Sequence, residues 1–177
     1  MLVVRNERVL KMLFTDSDYQ PIISHSFSNP MIDTVLSVLA KDVLPEISLF
    51  LPEKARALEK RILPFCQELS AFVIQMEILP PKLADLEHLK RLMYTARSEE
   101  KTRSWLSNLE IPPQMNIIVS YDFNTALLMP WSIFMRHYDD FCYYGGYDIC
   151  VCSVDEQWYL LYYHEDIFLF GRRRIEE

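Results

Sequence analysis

Gln157-Trp-Tyr-Leu-Leu-Tyr-Tyr-His-Glu-Asp-Ile-Phe-Leu-Phe-Gly171 decides how the rest of the chain is read. Two apolar runs, 158–163 and 167–170, flank the polar link His164-Glu165-Asp166, and a link that short can only reverse the chain. A third run, Tyr147 to Val154, joins the first through Asp155-Glu156, so the three predict an antiparallel meander. The middle run is apolar on both alternating sets, with Trp158, Leu160 and Tyr162 on one and Tyr159, Leu161 and Tyr163 on the other. Such a strand belongs in the centre of a sheet, with one face on helices and the other covered or adhesive.

Large rings gather around this stretch. Of the 23 aromatic residues, 13 lie between Trp131 and Phe170, and so do the turn glycines Gly145 and Gly146. Burial of these rings dominates the core, and Trp158, Leu160, Tyr162, Phe168 and Phe170 are its expected centre.

Upstream the period changes. No glycine occurs before Gly145, which removes the usual helix stop and leaves proline as punctuation. Val9 to Phe14 suggests a short helix, and Thr15-Asp-Ser-Asp18 a break. Asn29-Pro30 opens a helix over 30–43, because Asn caps well and Pro suits the first helical position. A second stripe runs from Leu51-Pro52 to Pro80-Pro81 and is kinked or divided at Pro64. Lys82 to Arg97 continues as a helix through Leu83, Leu86, Leu89 and Met93, and Ser98 caps another that ends near Leu109. Met115 to Phe123 turns to β-branched and aromatic residues and reads as a strand, after which Pro130 opens a helix through Trp131 and Tyr138. The expected class is α+β: one domain over 1–177, mainly helical in 1–110 and mainly sheet in 115–174, with the helices on one face of the sheet.

Composition narrows the function classes. With a formal charge of −7 and a pI near 5.1, the chain repels phosphate backbones and anionic membranes, so neither nucleic acid nor membrane is the expected partner. A basic protein is attracted. With no leader-type N-terminus read in Met1-Leu-Val-Val-Arg5 and no uncharged apolar run of membrane-spanning length, the expected compartment is by default the cytoplasm, with Cys66, Cys142, Cys150 and Cys152 reduced.

Few residues suggest chemistry. Cys142 as nucleophile, His164 as base and Asp148 as orienting acid would make a hydrolase or transferase, since thiolate chemistry needs an imidazole within hydrogen-bond reach. Cys142, Cys150 and Cys152 with His137 or His164 offer zinc-binding atom types, but their spacing matches no zinc knuckle, and small core cysteines are the stronger reading. No metal and no cofactor is expected, and neither a Walker nor a dinucleotide fingerprint occurs. His137-Tyr-Asp139-Asp140 and His164-Glu165-Asp166 place imidazole beside carboxylate at the links, where turn chemistry also gathers polar residues. Arg172-Arg-Arg174 is offset by Glu176-Glu177.

Asp140-Phe-Cys-Tyr143, a turn, Trp158-x-Leu160-x-Tyr162-x-His164-Glu165 and Phe170-Gly171-Arg172 resemble a C-terminal pattern of small cytoplasmic bacterial proteins of the toxin-immunity type. The resemblance covers about a quarter of the chain. Its turn departs from the pattern, reading Tyr144-Gly-Gly-Tyr147 with the single Asp148 in place of proline, serine and paired acids. It implies a stoichiometric inhibitor that neutralises a partner by occlusion, and the charge suits a basic toxin or nuclease. The expected contact residues are Asp139, Asp140, Asp148, Glu165 and Asp166 beside Tyr143, Tyr144 and Tyr147. The alternatives are the cysteine enzyme and an acidic secretion chaperone, which predicts a homodimer with an apolar groove. The oligomeric state stays open.

Overall fold

The computed structural model describes residues 14–22, 30–39, 41–64, 93–96, 98–122, 124–143 and 148–172. In chain order the elements are β1 (Tyr19–Pro21), α1 (Pro30–Val38), a 3-10 turn (Leu44–Glu46), β2 (Ser48–Phe50), α2 (52–64), β3 (Met93–Thr95), α3 (Glu99–Ser107), β4 (Asn116–Asp122) and β5 (Thr125–Pro130). They continue with α4 (Trp131–Arg136), α5 (Tyr138–Tyr143), β6 (Ile149–Ser153), β7 (Trp158–Tyr163) and β8 (Ile167–Arg172). The fold is α+β. Among the described residues eight strands form one antiparallel sheet in the order β1-β2-β5-β4-β6-β7-β8-β3.

The predicted meander is its backbone. β6 pairs with β7 through Val151 opposite Leu160, and β7 pairs with β8 through Tyr162 opposite Phe168. β4 closes onto β6 with Val119 opposite Val151. Every residue of β6 is buried, and so are Trp158 to Tyr162 of β7, as a central strand apolar on both sets requires.

Strand alternation sends these side chains to two faces. Ile117, Val119, Tyr121, Leu127, Met129, Leu160, Tyr162 and Phe168 join a large core with Val35 and Leu36 of α1, Leu106 of α3, Trp131 and Phe134 of α4 and Tyr138 and Phe141 of α5. Ile118, Ala126, Leu128, Cys150, Cys152 and Tyr159 point the other way, onto Ala55, Leu58 and Ile62 of α2. Helices therefore cover both faces, where the sequence suggested one. Residues spaced at 55, 58 and 62 on α2 form a stripe that fits the second face as well as the first, and only the sheet's two-sided apolarity decides the matter.

Several elements differ from expectation. Thr125 to Pro130, unread in the sequence, forms β5, paired to β4 with Ile118 opposite Leu128. Ala-Leu-Leu-Met has no β-branched residue and shows no alternation, because both faces are buried. Met93 to Thr95 lies in a strand and not in the helix predicted to Arg97, since β8 offers hydrogen bonds and ring partners that outweigh the helical stripe. With β1 and β2, it puts three short strands inside the range predicted mainly helical. α1 stops at Val38, ahead of a turn and Pro45, and not at Val43. Ser98 does cap α3, its hydroxyl accepting the Lys101 N–H at 3.4 Å, and Pro130 does stand before α4. The predicted helices over 9–14, 65–80 and 82–92 lie outside the described residues, as do Asn29, Cys66 and the Gly145-Gly146 turn; of the 9–14 helix only Phe14 is described.

Candidate functional site

The β7–β8 link and the segment entering β6 meet at one end of the sheet. Asp148 leads into β6, and His164 to Asp166 turns β7 into β8, so antiparallel pairing brings these two segments together. Asp148 Oδ1 accepts the His164 backbone N–H at 3.1 Å and lies 2.9 Å from His164 Nδ1. His164 Nε2 stands 3.8 Å from Glu165 Oε1. Asp166 holds φ at 59°, a left-handed conformation that Asp tolerates better than most residues. Two bonds fix it there: its carbonyl accepts the Ala96 N–H at 2.7 Å, and its carboxylate accepts the Tyr162 hydroxyl at 2.9 Å.

Helix α5 roofs this end. Its buried side carries Tyr138, Phe141 and Cys142, and its first turn carries Asp139 and Asp140, where carboxylates oppose the positive end of the helix dipole. Asp140 Oδ2 lies 3.2 Å from His137 Nδ1. Asp139 lies 3.5 Å from the Arg103 guanidinium of α3, which also binds Glu99 at 3.1 Å and sits 5.7 Å over the Tyr138 ring. Tyr143 closes the helix with 47% of its surface exposed, against 0–6% for the buried rings of the core around it. Its ring packs edge-on to Tyr162 at 5.9 Å and to Tyr138 at 6.4 Å.

Electrostatics keep these phenols neutral. Burial pushes the Tyr143 phenol well above its ordinary value, with Tyr138 and Asp166 adding to the effect. Tyr162 is pushed up by burial and by its hydrogen bond to Asp166. An ionised phenol here would face carboxylates across little solvent, so the rings serve as hydrogen-bond donors and apolar surface. The end as a whole presents carboxylates around one half-exposed aromatic ring.

The candidate residues distribute as follows. Asp148, Glu165 and Asp166 share the end at the β7–β8 link, Tyr143 meets it through Tyr162 with Asp139 nearby on α5, and Asp140 pairs with His137; Tyr144 and Tyr147 lie outside the described residues. Asp148 and His164 of the suggested catalytic trio are in contact. Cys142 is 1% exposed within the larger core, and burial first, then Asp139 and Asp166, push its thiol well above the ordinary range. A thiol held protonated out of solvent is a poor nucleophile. Cys150 and Cys152 belong to the opposite face, away from Cys142. Among the described residues no group of three or more His, Cys, Asp and Glu is placed to hold a metal ion. None of their helices is long and apolar enough to cross a membrane.

Sequence reasoning did not find Arg103, Tyr138 or Tyr162 as members of the site. Arg103 is far from Asp139 in sequence, and Tyr162 reads as one more core ring until its hydroxyl is seen on Asp166. No protein family matches the chain, and no curated protein or solved structure matches it.

Proposed function

We propose that the chain is a protein-binding inhibitor of the immunity type, which neutralises a basic partner, such as a toxic nuclease, by covering its functional surface. The observation that carries this reading is Tyr143, a half-exposed ring on the rings of Tyr138 and Tyr162 with Asp139 and Asp166 nearby. Interfaces draw most of their energy from a few aromatic anchors, and carboxylates around such an anchor steer a basic partner into place. The formal charge of −7 acts in the same direction over longer range and disfavours nucleic acid. A cysteine-dependent reaction at Cys142 is the weaker reading, because its thiol is buried and protonated.

The test is co-purification from native cell extract at low salt, followed by identification of what stays bound. A stoichiometric basic protein is expected, released when Glu165→Lys and Tyr143→Ala are combined. Reversal of Asp139 and Asp140 should weaken it further, though these two also serve Arg103 and His137. The absence of any stoichiometric partner, together with turnover of a small substrate by the isolated chain, would contradict the proposal.

A further inference from the structure

We infer that helix α2 is a hinged cover over the second face of the sheet, and that the ion pair between Arg61 and Glu156 is the catch that holds it closed.

The hinge lies where α2 leaves β2. The Leu51 N–H donates to the Asp18 carbonyl at 3.0 Å, the Lys54 N–H donates to the Leu51 carbonyl at 2.9 Å, and Lys54 Nζ stands 3.0 Å from the Asp18 carboxylate. This end of the helix is thereby joined to the β1–β2 edge of the sheet. About two turns further on, Arg61 reaches across to the β6–β7 link. There Glu156 Oε1 accepts from Arg61 Nε at 2.8 Å and from Nη2 as well.

Glu156 occupies that link against its backbone preference. Its N–H donates to the Ser153 carbonyl at 2.8 Å and the Gln157 N–H donates to the Ser153 hydroxyl at 2.9 Å, closing a tight turn that leaves Glu156 at a φ of 54°. Glycine takes this left-handed position most readily, and glutamate lacks the short side chain with which Asp or Asn satisfies the local backbone. What glutamate adds is reach. Its side chain is only 12% exposed, with Arg61 on one oxygen and the Tyr159 hydroxyl donating to the other at 3.4 Å. A strained residue whose carboxylate holds a distant helix has the form of a catch.

The cover itself is lightly anchored. Ala55, Leu58 and Ile62 pack with Ile118, Leu128, Cys150, Cys152 and Tyr159, and residues 52–64 contain no aromatic ring. Helices on the first face seat Trp131, Phe134, Tyr138 and Phe141, each of which buries far more surface. Local opening begins with the least anchored elements. On this account α2 swings out before the first face yields, and Cys150 and Cys152 meet solvent while Cys142 stays in the larger core.

The experiment is iodoacetamide labelling of the native chain near pH 8, where an exposed thiol begins to ionise, with peptide mass spectrometry to read the sites separately. Cys150 and Cys152 are expected to label at least about tenfold faster than Cys142. Arg61→Gln should quicken Cys150 and Cys152 by about threefold to fivefold and leave Cys142 unchanged, as loss of one bidentate pair implies. Glu156→Gly separates the catch from general stability. Glycine relieves the backbone strain, so Cys142 should label no faster than in wild type, yet Cys150 and Cys152 should label faster because α2 has lost its hold. Labelling of Cys150 and Cys152 no faster than that of Cys142 overturns the cover, and so does an Arg61→Gln chain in which all three quicken by one factor. Cys150 and Cys152 unchanged or slowed in either variant overturns the catch.

Discussion

At one end of the β7–β8 hairpin, Trp158 lies edge-on to Trp131 at 5.8 Å and against Phe170 at 5.9 Å, with the Arg172 guanidinium 5.8 Å over the Phe170 ring. At the other end, Tyr162 meets Phe168 at 5.1 Å and Tyr143 at 5.9 Å, and its hydroxyl reaches Asp166. Both ends are walled by rings from α4 or α5. The first is closed by apolar rings and a cation, and its rings exhaust their surface on one another. The second is built largely from tyrosines, each with a polar handle: the Tyr162 hydroxyl donates to the Asp166 carboxylate, and that of Tyr138 pairs with Thr102. One end is therefore committed to stability. The other keeps surface and charge in reserve, with Tyr143 as its outermost ring.

If that division is right, substitutions at the two ends must separate stability from binding. The largest effect belongs to Trp158→Ala, expected to cost about 3–5 kcal/mol in denaturant unfolding, since Trp158 is 6% exposed among aromatic neighbours. An unchanged midpoint would remove Trp158 from the core and dissolve the contrast. Tyr162→Phe should cost less, about 1.5 kcal/mol, because it deletes a hydrogen bond to a carboxylate but keeps the ring. Tyr121→Phe is its control. The Tyr121 hydroxyl is buried and has no hydrogen-bond partner among the described residues, so its removal should be neutral or slightly stabilising in the same assay.

Alkaline unfolding sharpens the point. Burial, with Cys142 nearby, raises the Tyr121 phenol well above its ordinary value in the folded chain. The unfolded chain releases this proton near pH 10 and the folded chain does not, so the stability it contributes is whole below pH 10 and declines as pH rises toward the folded value. The slope is about 1.4 kcal/mol per pH unit for one such group. Tyr121→Phe should flatten the decline measured between pH 10 and 11.5, and an identical slope in both chains would show that Tyr121 ionises freely.

Much of the contrast was legible in the sequence, for physical reasons. Links of two and three polar residues between aromatic runs leave no topology but a meander, and this alone brings Asp148 to His164 and places Glu165 and Asp166 on the same end. Strands whose residues do not alternate were harder. β5 is buried on both faces and its Ala-Leu-Leu-Met run has no β-branched residue, and β3 is three residues long beside a helical stripe, so pairing partners and not local preference decide both. Within the site, the carboxylates and Tyr143 were readable from their crowding at the links. The pairing of His137 with Asp140 is local, three residues apart, and was readable; the position of Arg103 over Tyr138 depends on how α3 and α5 pack, and no spacing in the sequence carries that information.

The central claim, that the acidic, tyrosine-bearing end receives a basic partner, is tested most directly by titrating the co-purified partner calorimetrically into wild-type and Tyr143→Ala chains at matched low salt. The ring is half exposed, so its loss should leave the unfolding midpoint within about 1 kcal/mol of wild type while weakening binding at least tenfold, as removal of an interface anchor does. Unweakened binding by a folded Tyr143→Ala chain would place the partner elsewhere and contradict the account.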